Sequence, residues 1–190
     1  MSDELRSPEV LREAIEQIAA IAKEEGVKVI LVGGFAMHLY GSDRLTGDVD
    51  FASAELMASV TRSGRQFEPL SFGGYATHAP NGVPVDMIVR DDDYTDLYLE
   101  AIRYAVKVDG VPIPVVSPEY LAAMKMASAR DKDFIDLGFL LQKEKVNVKQ
   151  ARSIVRKHLG AYAAQEFDGM VEEAEWMRTR KNPRARRGRR

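Results

Sequence analysis

The chain has no cysteine. Disulfides and thiolate zinc sites are therefore excluded. Histidine is scarce: His38, His78 and His158 stand far apart, which argues against a histidine-rich metal site. No apolar run is long enough to span a bilayer, and no signal-peptide pattern is present, so a cytoplasmic protein without membrane association is the simplest reading. A strong excess of one charge is also lacking. The 27 Lys and Arg nearly balance 29 Asp and Glu, for a net charge of −2. What remains is ordinary globular material. The 190 residues are 45% hydrophobic, enough for one domain, or one domain with a small helical appendage.

The near-zero net charge hides an asymmetry. From Arg178 onward the chain carries eight Lys and Arg and no acid, which leaves nineteen bases against twenty-nine acids before it. The segment 178–190, RTRKNPRARRGRR, has no apolar periodicity and reads as a disordered basic tail. Such a run can follow RNA phosphates by counterion release, or it can be a solvated end. The organisation expected is a catalytic core over 1–116, a helical region over 117–177 and the tail over 178–190.

The most informative stretch is Val29 to Phe51, VILVGGFAMHLYGSDRLTGDVDF. Val29 to Val32 is a short β-branched run that suits a buried strand. Gly33 and Gly34 end it, and their missing side chains let the backbone turn sharply and approach a ligand. Phe35 to Tyr40 then suits a turn or two of helix, with its free N–H groups at the glycines. Asp48 and Asp50 flank Val49. In a strand, residues i and i+2 face the same side, so both carboxylates converge as divalent-cation binding requires.

This pattern resembles the nucleotidyltransferase superfamily, the DNA polymerase β-like fold. In that family a hydrophobic strand, Gly-Gly or Gly-Ser, about a dozen residues and Asp-hydrophobic-Asp-hydrophobic follow one another. Here they stand as LVGG, thirteen residues and DVDF. Asp86, in VPVDMIV, occupies the place of the third carboxylate. A second block, Ser117 to Leu141, resembles the helical region of AbiEii-like and related small bacterial nucleotidyltransferases, through Lys125, Arg130, Lys132-Asp133 and Asp136-Leu137.

The resemblance implies an α/β (α+β) nucleotidyltransferase fold, with a small mixed sheet followed by a helical C-terminal region. It implies an enzyme that moves an NMP from an NTP to an acceptor. Asp48 and Asp50 would bind two Mg²⁺ ions, and Asp86 would bind the metal nearer the acceptor and help activate its hydroxyl. Gly33 and Gly34 would offer N–H groups to the phosphates, and Lys125 a point charge. The AbiEii-like pattern further implies a toxin of a toxin–antitoxin pair, with an RNA, tRNA or protein acceptor and an antitoxin partner. An antibiotic-modifying nucleotidyltransferase and a non-catalytic nucleotide- or RNA-binding module are the alternatives.

Several residues carry two readings. Arg44 either binds phosphate or only fixes the loop before Asp48. The Lys125 stem can simply cover core. Arg130, Asp133 and Asp136 can form an ion-pair network bracing helices, since positions 133 and 136 share a helix face. His38 reads as a helix-packing residue, and Asp91 to Asp93 as a dipole-favoured helix start.

The rest of the chain predicts a helix opened by Ser7-Pro8-Glu9, with a stripe of Val10, Ala14, Ile18 and Ile21 and a stop at Gly26. Ala54 to Gly64 reads as a helix that packs Leu56 and Val60 on the sheet. Tyr75–Ala79 and Val83–Val89 read as a hairpin turned at Asn81-Gly82. Pro84 places the second arm near a sheet edge, or makes it short. A helix through Tyr104, a hairpin over 106–116 and helices from Pro118 to about Ala129, about Asp133 to Gln142, Val148 to Leu159 and Ala161 to Met177 complete the expectation.

Overall fold

The structure, a computed structural model, describes residues 5–58 and 67–181. It divides between Ser117 and Pro118 into two compact units.

The first unit begins with α1 (Pro8–Glu25). The Ser7 side chain accepts a hydrogen bond from the Val10 amide, and Gly26 closes the helix in the left-handed region, the geometry that glycine allows without strain. The buried stripe is Leu11, Ala14, Ile15, Ile18 and Ala22. It lies one position from the expected one, so Val10 is exposed and Ile21 half-buried. Ala14 and Ile18 serve both stripes, and packing on the sheet selects Leu11 and Ile15 over Val10 and Ile21.

The sheet contains β1 (Val29–Val32), β2 (Val49–Ser53), β3 (Glu68–Pro69), β4 (Gly74–His78) and β5 (Pro84–Ile88). Its order is β1-β2-β5-β4-β3, and only the β2–β5 pair is parallel. β5 therefore lies inside the sheet, not at its edge. Pro84 is tolerated because it is the first residue of the strand, where a missing N–H interrupts little of the ladder. At the turn before it only Gly82 takes positive φ; Asn81 does not. Asn81 instead ties the turn to α1, its side-chain amide donating to the Val10 carbonyl at 3.1 Å.

Val49, Phe51, Val85 and Met87 alternate along β2 and β5 and are fully buried. Asp50 and Asp86 occupy the other face and are half-buried. The helix α2 (Gly33–Leu39) leaves β1 at the glycine pair. A later helix, α3 (Thr95–Arg103), packs on β2. It starts after the acid cluster: Asp92 accepts from the Tyr94 amide at 3.1 Å and pairs with Arg90.

Residues 54–57 are irregular and Leu56 is 50% exposed, so the packing expected of it is not observed; Val60 lies outside the described residues. The expected 106–116 hairpin reduces to a single Val106–Val115 bridge, with Val115 also bridging β1 in parallel at Leu31.

The second unit is helical: α4 (Pro118–Ser128), α5 (Asp131–Gln142) and α6 (Val148–Lys181), mutually packed. Gly160, at φ 91° and ψ 179°, breaks α6 into two pieces. Arg152 on one piece meets Asp168 on the other, Nε to Oδ1 at 2.7 Å. Arg178 to Lys181 continue the helix, so the basic tail is not wholly irregular as expected. Residues 182–190 lie outside the described residues.

Candidate active site

The turn after β1 and the start of β2 build one cluster. Val32 pairs with Asp50 across the β1–β2 ladder, and Asp50 pairs with Asp86 across β2–β5. In-register residues on neighbouring strands face the same side, about 4.8 Å apart. Asp48 stands one pleat before Asp50, in the loop that enters β2. Asp50 and Asp86 thus share one sheet face, and Asp48 lies in the loop two residues before Asp50. The Asp50 and Asp86 pair comes from adjacent parallel strands whose pairing is non-local.

The glycine pair is shaped by these carboxylates. Gly33 takes φ +64° and a Cβ there would lie 1.7 Å from Asp50 Oδ2 and 2.4 Å from its Cγ. Asp50 occupies the space that any side chain at position 33 would need. Gly34 has ordinary φ, but a Cβ would lie 2.8 Å from Thr46 Oγ1 and 3.5 Å from an Arg44 guanidinium nitrogen. Its amide donates to Asp50 Oδ2 at 3.2 Å. The Thr46 hydroxyl donates to Asp48 Oδ1 at 2.5 Å. Arg44 is half-buried over Gly34, and its amide donates to the buried Ser42 hydroxyl at 3.3 Å.

Thr46 was not legible as a site residue. Its only signal is a hydroxyl two positions before an aspartate, a spacing at which a side chain bonds locally. His38 stacks near Phe35, ring centroids 5.5 Å apart, consistent with a packing residue.

The donor set can be tested against a divalent cation. Among the described residues no three His, Cys, Asp or Glu side chains form a ready cation cage. Asp48 and Asp50 each commit one oxygen to a neighbouring donor. A carboxylate offers about four lone-pair directions, so one such bond does not exhaust it. Mg²⁺ characteristically uses one or two carboxylates and completes its shell with substrate phosphates and water. An all-oxygen set of aspartates beside a glycine cradle fits a cation of that kind.

Lys125 belongs to the helical unit. Its ammonium is buried, donating to Asp133 Oδ1 at 2.8 Å and Asp136 Oδ2 at 2.7 Å. Arg130 adds Nε to Asp133 Oδ2 at 2.6 Å. Burial of Asp133 opposes its ionised form, but the hydrogen bonds from Arg130 and Lys125 prevail and hold its pKa far below the ordinary carboxylate range. The Lys125 head therefore reaches two aspartates rather than water, and Arg130, Asp133 and Asp136 do form the ion-pair network.

No family model matches the chain, and no curated protein matches it. Among solved structures, the antibiotic-resistance factor ANT(2'')-Ia in solution is similar over 86% of this chain and 98% of its own, at 18% identity and a TM-score of 0.56. An antigenic nucleotidyltransferase-like protein from Paracoccidioides brasiliensis is similar over 88% of this chain and 94% of its own, at 16% identity and a TM-score of 0.47. The first likeness shows the fold: the chain has the nucleotidyltransferase fold, a five-stranded mixed sheet followed by a helical region.

Proposed function

We propose that this protein transfers a nucleoside monophosphate from an NTP to an acceptor, with Asp48, Asp50 and Asp86 as its catalytic and metal-binding residues. One observation carries the reading: Asp50 and Asp86 stand in register on adjacent strands, beside a glycine whose Cβ position Asp50 itself fills. A carboxylate pair on adjacent strands beside a glycine turn suits a shared divalent cation. Such an arrangement serves ligand binding rather than stability.

Asp48 and Asp50 would hold Mg²⁺ with the triphosphate, and Asp86 would complete the set on the acceptor side. The chemistry such a cation would supply is stabilisation of the charge on the attacking and leaving oxygens of an in-line displacement. The remaining work falls to the chain. Thr46 fixes the Asp48 carboxylate through its 2.5 Å hydrogen bond. Gly34 positions Asp50 and keeps room for Thr46 and Arg44. Arg44 and the backbone at Gly33 and Gly34 meet the phosphates. Asp86 accepts the proton of the attacking hydroxyl. Lys125 is held inside the helical unit by Asp133 and Asp136, where it braces the helices.

For the acceptor, the AbiEii-like pattern and the basic C-terminus favour RNA or tRNA, in the setting of a toxin with an antitoxin partner. A protein acceptor belongs to the same reading. A second reading, transfer to a cationic antibiotic, is favoured by the similarity in fold to an antibiotic-resistance factor. No helix among the described residues is long and apolar enough to cross a membrane.

The test is to incubate the protein with each labelled NTP and Mg²⁺, adding total RNA, cell extract or an aminoglycoside. Label carried into one acceptor class, with Mg²⁺-dependent release of pyrophosphate, supports the reading. Nucleotide binding without pyrophosphate release under all these conditions would leave a binding module instead.

A further inference from the structure

Among the described residues, the N-terminal arm meets the active-site loop through one backbone hydrogen bond. The Arg6 amide donates to the Thr46 carbonyl at 3.3 Å. Thr46 is the residue whose hydroxyl holds Asp48 and whose side chain fills the cradle over Gly34. Arg6 is thus tied through its own backbone to the loop that positions a catalytic carboxylate.

Its side chain is half-buried, and its Nε is buried without any hydrogen-bond partner. Guanidinium nitrogens donate only and remain charged at any physiological pH. A buried donor left unsatisfied is unfavourable, more so on a charged group. Among the described residues, Arg90 pairs with Asp92 and Lys125 with Asp133 and Asp136, and Arg178, whose Nε is likewise buried without a partner, still meets Glu144 and Glu175 through its terminal nitrogens. Arg6 has no carboxylate partner among the described residues, and its backbone lies against the loop that carries Asp48.

We propose that Arg6 is a further phosphate-contacting residue of the nucleotide site, its guanidinium supplying donors to a triphosphate oxygen when the NTP binds. This deepens the nucleotidyltransferase reading and rests on it. Arginine suits the task because its planar fork pairs with phosphate in a bidentate way. The amide bond anchors the Arg6 backbone at the loop, within a side chain's reach of the phosphates. The Arg6–Thr46 link also gives the arm a route to Asp48: a phosphate on Arg6 draws the same loop that carries the Thr46 hydroxyl.

The experiment uses the full chain, as wild type and as Arg6→Met and Arg6→Lys variants, with ATP and inorganic tripolyphosphate as probes. Binding is read by calorimetry, and thermal midpoints are recorded with and without each probe. Arg6→Met is expected to weaken both probes by roughly tenfold to a hundredfold, the size of a hydrogen bond to a charged group. Its midpoint without ligand should be unchanged or higher, because an unsatisfied buried charge is gone. Arg6→Lys should recover part of the loss, and it serves as the test should the Met variant fail to fold. Wild-type affinity in either variant, or a lowered unliganded midpoint with affinity intact, overturns the proposal and makes Arg6 a structural residue. If the wild type binds neither probe, the nucleotide reading itself falls, and the role of Arg6 falls with it.

Discussion

Replacing Gly33 with alanine should damage both folding and transfer, and the size of the damage can be worked out. Two terms contribute. Gly33 sits at φ +64°, where a side chain costs about 1–2 kcal/mol. The second term is steric. The new methyl would lie 1.7, 2.4 and 2.7 Å from Asp50 Oδ2, Cγ and Cβ. Rotating Asp50 about χ1 moves its oxygens and Cγ but leaves Cβ in place. The backbone of β2 or the start of α2 must therefore shift as well, and overpacking of this kind costs about 1–3 kcal/mol. The expected total is about 2–5 kcal/mol. Gly41 provides the control. It has φ +93° and nothing within 4 Å of an added Cβ, so Gly41→Ala should show only the backbone term. Urea denaturation of both variants gives the two free energies, and labelled NMP transfer below both unfolding ranges gives the activity. A third variant isolates the clash: in an Asp50→Ala background two of the three close contacts vanish, and Gly33→Ala should then cost about 1 kcal/mol less or better, a non-additive cycle. Equal losses at positions 33 and 41, strict additivity with Asp50→Ala, or full transfer by Gly33→Ala would refute the reasoning.

Asp50→Asn or Asp86→Asn should abolish Mg²⁺-dependent transfer while a cooperative urea transition is kept, because the lost charge is the one a divalent cation needs; near-wild-type transfer would remove that aspartate from the catalytic set. Lys125→Met should lower unfolding free energy by about 3–5 kcal/mol, since it leaves Asp133 and Asp136 buried without their shared cation; chemical denaturation measures this. The depressed pKa of Asp133 makes its contribution to stability complete above the unfolded carboxylate value of about 4 and progressively lost as pH falls below it toward the folded value. Wild type should accordingly lose stability more steeply than Asp133→Asn on acidification from pH 5, as followed by thermal midpoints. Deleting residues 182–190 should flatten the salt dependence of any RNA affinity, and filter binding of both chains across a salt series reads that slope.

The local parts of the site were legible because they follow from backbone periods. A β-branched run stopped by Gly33-Gly34, and Asp48 and Asp50 two residues apart, need no knowledge of the rest of the chain. The placement of β5 did not follow. Pro84 suggested an edge, whereas the parallel pairing with β2 brings the strand inside, and register between strands more than thirty residues apart leaves no local trace. Likewise Leu11 and Ile15 displaced Val10 and Ile21 on α1, since two overlapping stripes satisfy the same helical period. Thr46 and Arg6 stayed hidden because polar loop and arm residues have no periodicity at all. Lys125 was recognised by its pattern, but two aspartates around one ammonium emerge only when α4 and α5 pack.

The borders of the sheet bear on how the protein meets other proteins. Beyond β1 the chain itself supplies the next strand position: Leu31 donates to the Pro114 carbonyl and accepts from the Val116 amide, both at 2.9 Å. Outside that lies a single bridge to Val106, too short to template another chain. At the opposite border β3 has two residues, one of them Pro69, which has no N–H to donate. Short, proline-bearing borders are how natural sheets avoid open-ended growth. Recognition by strand addition, which depends on a long row of free backbone groups, finds no foothold at either border among the described residues. A protein partner that meets the sheet at these described borders would be read through side chains, and its specificity would be open to point substitution.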